Sequence, residues 1–87
     1  MNYDVDADFD AGYIEQFGAQ IDSLSSAQED VVLNLSGVSF VDSCGIGALV
    51  SLHKRLLSRG HRLKVMGLRG QPLQLLINLQ LVPLFCA

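Results

Sequence analysis

Three times along this chain a short apolar, strand-forming run gives way to apolar residues spaced three and four apart, and that repeated change of period is its strongest constraint. Residues 2–9 alternate, with Tyr3, Val5, Ala7 and Phe9 on one side and Asn2, Asp4, Asp6 and Asp8 on the other, as in a half-buried edge strand. From Asp10 to about Ser25 the spacing of Ile14, Phe17, Ile21 and Leu24 predicts an amphipathic helix, with Asp10 or Gly12 as its cap. Residues 31–36, VVLNLS, read as a buried strand, and the chain stays extended past Gly37 to Asp42. A second helix is expected over 43–58, with a buried stripe of Ile46, Leu49, Val50, His53, Leu56 and Leu57, stopped by Gly60. Residues 61–68 alternate again, with Leu63 and Val65 facing one way and Lys64 and Met66 the other. A third helix is expected from Gln71 to about Leu81, with Pro72 in its first turn and a stripe of Leu73, Leu76 and Ile77, widened by Leu75 and Leu79. The closing VPLFCA reads as a short strand or extended tail, held to a sheet edge by Pro83. The order β-α-β-α-β-α-(β) implies an α/β fold, a mostly parallel sheet with crossover helices packed on it.

Composition narrows the functional classes. At 87 residues, about half of them apolar, the chain is expected to form a single domain over 1–87 with a packed core. No apolar run approaches the ~18 residues of a membrane span, so no direct membrane insertion is expected. The N-terminus has neither the basic nor the apolar region of a signal peptide, and Cys44 and Cys86 lack metal-ligand spacing. A cytoplasmic location is the plain expectation. All nine acids precede Ser43 and all six Lys and Arg residues follow it. The net charge of −3 argues against a nucleic-acid partner, whose binding rests on phosphate neutralisation. Asp4, Asp6, Asp8, Asp10 and Glu15 fall on ligand positions 1, 3, 5, 7 and 12 of a calcium-loop template, but Phe9 stands where the sharp turn demands glycine and no entering helix precedes it. The strand reading is preferred, and neither metal nor cofactor is expected.

The segment VDSCGIG (41–47) puts an acid, a hydroxyl and a thiol on the turn from strand to helix, followed by two glycines. The Ser43 hydroxyl is a natural N-cap, which accounts for a serine or an aspartate here. A cap does not account for Gly45 and Gly47, each of which weakens a helix by ~1 kcal/mol relative to alanine but lets another backbone or a ligand come close. Nucleophilic attack from a serine elbow lacks a base, because His53 lies on the buried stripe and His61 beyond the far end of a helix ~24 Å long. Cys44 meets the same lack of a base, so no catalytic residue is assigned and the chain is not expected to be an enzyme. A phosphate-cradling loop is disfavoured because Val50 holds the third glycine place, no lysine follows, and Asp42 repels an anion. Covalent phosphorylation of Ser43 fits, since a phosphoserine at a helix start meets free backbone N–H groups and makes the surface more negative without refolding.

The run VVLNLSGVSFVDSCGIGALVSLHKRL closely resembles the strand–Asp-Ser-x-Gly–helix core of STAS domains, specifically the bacterial anti-sigma factor antagonists. RLKVMGLRGQPLQLLINLQL resembles the family's next strand, turn and leucine-rich helix, and ADFDA the end of its N-terminal strand; together they cover about residues 7–82. The resemblance implies a phosphorylation-switched module in a partner-switching pathway that regulates transcription. In such proteins the unphosphorylated form binds an anti-sigma factor that is also a serine kinase of the histidine-kinase-like ATPase type, and a PP2C-like phosphatase restores it. Carried over by position, Ser43 is the phosphorylation site, and Asp42, Cys44, Gly45, Ile46 and Gly47 are the partner-binding turn. Cys44 replaces the usual Ser or Thr, which leaves Ser43 as the hydroxyl. The family commonly opens with a further strand and closes with a further helix, so this fold is expected to be shortened at both termini. Tyr3, Val5 and Phe9 at one end, and Leu84 and Phe85 at the other, are then expected to form exposed apolar edges covered by a partner or, in a homodimer, by a second copy. The alternative is a STAS accessory subunit docked on a membrane transporter, of lipid-transporting ABC or anion type, without phosphorylation.

Overall fold

The computed structural model describes residues 1–85. Its elements in chain order are β1 (Asn2–Asp4), α1 (Ala11–Leu24), β2 (Val31–Asn34), α2 (Ser43–Ser58), β3 (Leu63–Met66), α3 (Gly70–Asn78) and α4 (Val82–Phe85). The three strands form a parallel sheet in the order β1-β2-β3. Tyr3 stands opposite Leu33, and Leu33 opposite Val65. Because side chains alternate along a strand, this register gathers Val31, Leu33, Leu63 and Val65 on one face, where all are buried. Asn34, Lys64 and Met66 fall on the other, open face. One buried cluster joins the covered face to Ile21 and Leu24 of α1, to Leu49, Leu52 and Leu56 of α2, and to Leu76 and Phe85. Among the described residues no helix is long and apolar enough to cross a membrane.

The helices start and stop where local chemistry dictates. Asp10 caps α1, its Oδ1 accepting from the Tyr13 amide at 3.0 Å. At the far end of α2, Gly60 takes φ +82°, and the His61 amide reaches back to the Leu56 carbonyl at 2.9 Å. That is the six-to-one closure a left-handed residue permits. Gln80 does the same for α3 at φ +58°, with Leu81 N–H on the Leu76 carbonyl. The expected run to Leu81 therefore ends at Asn78.

Several expectations are corrected. The first strand does not run over 2–9: after Val5, whose amide bonds the Asn34 carbonyl, the chain leaves the sheet and returns at Phe9, which bridges Val41. Val5 and Phe9 are buried in the protein's own core and Tyr3 is half-buried, its hydroxyl 3.2 Å from that of buried Tyr13. They form no exposed apolar edge. Phe85 is likewise buried, so that of the pair expected there Leu84 is exposed and Phe85 is not. The tail forms the helical turn α4 rather than a strand, since Pro83 is as well suited to a first helical turn as to a sheet edge. Cys86, expected in that tail, lies outside the described residues. On α2 the buried line is Gly45, Leu49, Leu52 and Leu56, and Leu57 is 56% exposed. The helix packs on α1 as well as on the sheet, which turns Leu52 inward and Leu57 outward. Ile77 and Leu79, assigned to the α3 stripe, are also exposed. The acidic and basic halves meet at the surface through Arg55–Asp22 at 3.5 Å and His61–Asp30 at 3.8 Å.

Adjacent leucines on α2 therefore respond differently. Leu56→Ala is expected to cost about 2–5 kcal/mol, and Leu57→Ala to stay within about 0.5 kcal/mol of the parent, both read by urea denaturation.

Candidate functional site

In a parallel sheet every strand delivers its following loop to the same edge, and binding groups collect there. Here the loop after β1 brings Phe9 and Asp10 to that edge, and the loop after β2 brings Val41 and Asp42. Asp42 is the N-cap of α2, with extended backbone at φ −106° and ψ −173°. Its Oδ1 accepts from the Gly45 amide at 3.0 Å and its Oδ2 from the Ala11 amide, the first residue of α1, at 3.1 Å. The Gly45 N–H, reinforced by that of Ala11, holds the Asp42 carboxyl below the usual aspartate range against the opposing effect of desolvation. The cap is thus ionised at neutral pH.

This corrects the expected role of Ser43. Asp42, the last extended residue, takes the capping position, and Ser43 becomes the first helical residue with its side chain exposed. Among the described residues no hydrogen bond occupies the Ser43 hydroxyl. Cys44 beside it is a free, exposed thiol, and Ile46 is half-buried against the core.

The two glycines separate cleanly. A Cβ on Gly45 would overlap the Phe9 carbonyl oxygen and come within 2.9 Å of the Phe9 ring and 3.0 Å of a Val41 methyl. Gly45 is therefore required by the close passage of the 9–10 segment under α2, a contact within the chain. A Cβ on Gly47 would meet nothing within 4 Å, and Gly47 is exposed. Nothing inside the described fold requires glycine at 47.

A residue the sequence reading missed holds the turn from the other side. The Gln71 amide, at the start of α3, clamps the Val41 backbone: Oε1 accepts from the Val41 N–H at 2.8 Å and Nε2 donates to its carbonyl at 2.9 Å. Hydrophobic periodicity is blind to such a contact; the only sequence signal was a polar residue in the first turn of α3. Arg69 adds a bond to the Ser36 carbonyl at 3.0 Å. Gly67, at φ +78°, lets its loop approach the Ser36 amide more closely than a Cβ would allow. The histidines stay apart from Ser43. His53 lies about 15 Å further along α2 by helical rise, its ring packed edge-on to Phe85 at 5.5 Å, and His61 lies beyond the helix end. The acids of the calcium-loop pattern are spread over β1, the following loop and α1, with Asp4 on the strand and Glu15 in the helix.

The STAS domain family model matches residues 1–86. The chain belongs to the STAS family. The STAS fold is also shared with two solved structures. A protein assigned as an anti-sigma factor antagonist from Thermotoga maritima aligns with TM-score 0.84 at 17% identity, covering 97% of this chain and 75% of the other. A sulfate transporter family protein from Wolinella succinogenes aligns with TM-score 0.77 at 18% identity, covering 94% and 67%. Among curated proteins none matches this chain. At such identities the two likenesses show the shared fold alone.

Three outcomes are expected. Gly45→Ala should destabilise the STAS domain by at least about 2 kcal/mol, whereas Gly47→Ala should stabilise it by about 0.5–1 kcal/mol, as read by denaturant midpoints. Because the Asp42 pKa is lowered by folding, its contribution is present above the unfolded-state value and is lost as pH falls through the folded-state value. The stability gap between the parent and Asp42→Asn should be widest near neutrality and close on acidification below the usual aspartate range, as followed by thermal melts.

Proposed function

We propose that this STAS domain is an anti-sigma factor antagonist, a protein-binding module switched by phosphorylation of Ser43. In its unphosphorylated form it sequesters an anti-sigma factor/serine kinase of the histidine-kinase-like ATPase type and so regulates transcription; a PP2C-like phosphatase resets it. The observation that carries the proposal is the division of labour at the start of α2. Asp42 supplies the cap, which leaves the neighbouring Ser43 hydroxyl exposed and uncommitted. Phosphorylation adds about −1.5 to −2 charges beside the ionised Asp42 carboxylate, without removing a bond the fold uses. The docking surface becomes locally anionic, and a partner matched to the uncharged hydroxyl is repelled. Gly47, open above the same turn, admits the partner's backbone. Cys44 and Ile46 flank the contact. With no histidine near Ser43, binding rather than turnover is the function assigned, and residues 1–87 act as one domain.

The second reading, a STAS accessory subunit on a membrane transporter, is favoured by the likeness to the sulfate transporter family protein. It uses the same helix as a static dock and needs no phosphate.

The two readings separate on three variants assayed against the cognate kinase. For the switch, ATP-dependent modification maps by mass spectrometry to Ser43 alone. Ser43→Asp then weakens kinase binding by at least tenfold, about 1.4 kcal/mol. Ser43→Ala binds like the parent but is no longer released by ATP. Gly47→Ala weakens binding although it stabilises the fold. Equal binding by the Asp and Ala variants, with no phosphate on Ser43, rejects the switch in favour of the static dock.

A further inference from the structure

Away from the Ser43 turn, a cavity of about 400 Å³ opens between α2, α4 and the N-terminal end of β3. That volume lies within the ~300–1,000 Å³ range of small-molecule sites. Leu57 and Leu84 line it, and both are strongly exposed, at 56% and 44%. Leu63 and Phe85 close its inner wall, both buried. An apolar surface of this kind left facing water is unfavourable by ~25 cal/mol per Å². The charged lining is lopsided. Arg62 and Lys64 stand on it as cations. Asp30 beside them sets one formal negative charge against these two cations, which leaves the charged lining one positive charge in excess; its Oδ1 accepts from the Arg62 amide at 2.8 Å and lies 3.8 Å from His61 Nδ1. His53, a further lining residue, has a buried Nδ1 with no hydrogen-bond partner among the described residues. Its ring is therefore held by packing on Phe85 rather than by a polar contact.

A greasy wall with two cations at its rim is complementary to one class of ligand. The geometry points to this cavity as a binding site for a single-chain amphiphilic anion, a medium-chain carboxylate whose tail lies on Leu57, Leu63, Leu84 and Phe85 and whose head meets Arg62 and Lys64. A neutral amphiphile would satisfy the wall but not the rim, and a small inorganic anion the rim but not the wall. The site is separate from the Ser43 turn and does not rest on the docking role proposed for it.

The test is a titration of the isotopically labelled protein with sodium decanoate below its micellisation range, followed by amide NMR shifts. Saturable shifts are expected around Leu57, Arg62–Lys64 and Leu84–Phe85, with none at 43–47. Leu57→Trp, which fills the cavity from an exposed position, should weaken binding by at least about tenfold. Arg62→Gln with Lys64→Gln should weaken it about fivefold, and decanol should bind correspondingly more weakly than decanoate. Thermal melts confirm that the variants remain folded. Absence of saturable shifts, shifts spread evenly over the surface, equal binding of decanol and decanoate, or indifference to these substitutions overturns the proposal.

Discussion

The carboxylate of Asp42 accepts hydrogen bonds from two helices at once, the Gly45 amide of α2 and the Ala11 amide of α1. Each helix start carries unpaired N–H groups and a partial positive charge, so one ionised side chain placed between them satisfies donors on both. This bond fixes where α1 begins relative to α2. It also draws the segment carrying Phe9 and Asp10 beneath the first turn of α2, where only a residue without a side chain fits. Gly45 is the steric counterpart of the Asp42 cap.

From that arrangement the rest of the site follows. A cap made by Asp42 leaves the Ser43 hydroxyl without a hydrogen bond among the described residues, and Gln71 secures the preceding Val41 from α3. The turn is therefore rigid at its base and chemically open at its tip. A surface built this way can gain or lose a charged group with little change in its supporting structure, the physical requirement of a binding switch.

How much of this was legible beforehand varies by element. The periodicities of 10–25, 31–36 and 43–58 located α1, β2 and α2 because each pattern matches a burial that the fold does produce. The first strand was overextended because Val5 and Phe9 are both buried, yet the chain between them leaves the sheet; alternation reports burial, not continuous pairing. Leu57 was misplaced because periodicity gives the centre of an apolar stripe to within one residue, while the presence of α1 alongside decides which residue turns inward. At the site, the Asp-Ser-x-Gly run was conspicuous, but the sequence reading gave the cap to Ser43 where the structure gives it to Asp42, and it treated Gly45 and Gly47 alike as close-approach positions. Gln71 carried no apolar signal at all.

The sequence alone determined the α/β order, the parallel sheet, the strand–helix turn bearing Asp42, Ser43, Gly45 and Gly47, and the family resemblance. These are local properties, written in residue type and spacing over a dozen positions. Tertiary structure alone decided that Asp42 rather than Ser43 makes the cap, that Gly45 answers to Phe9 while Gly47 faces open space, and that Gln71 braces the turn. The Ala11–Asp42, Val41–Gln71 and Gly45–Phe9 contacts each bring together segments 30 or more residues apart, a proximity that exists only once the helices have packed on the sheet.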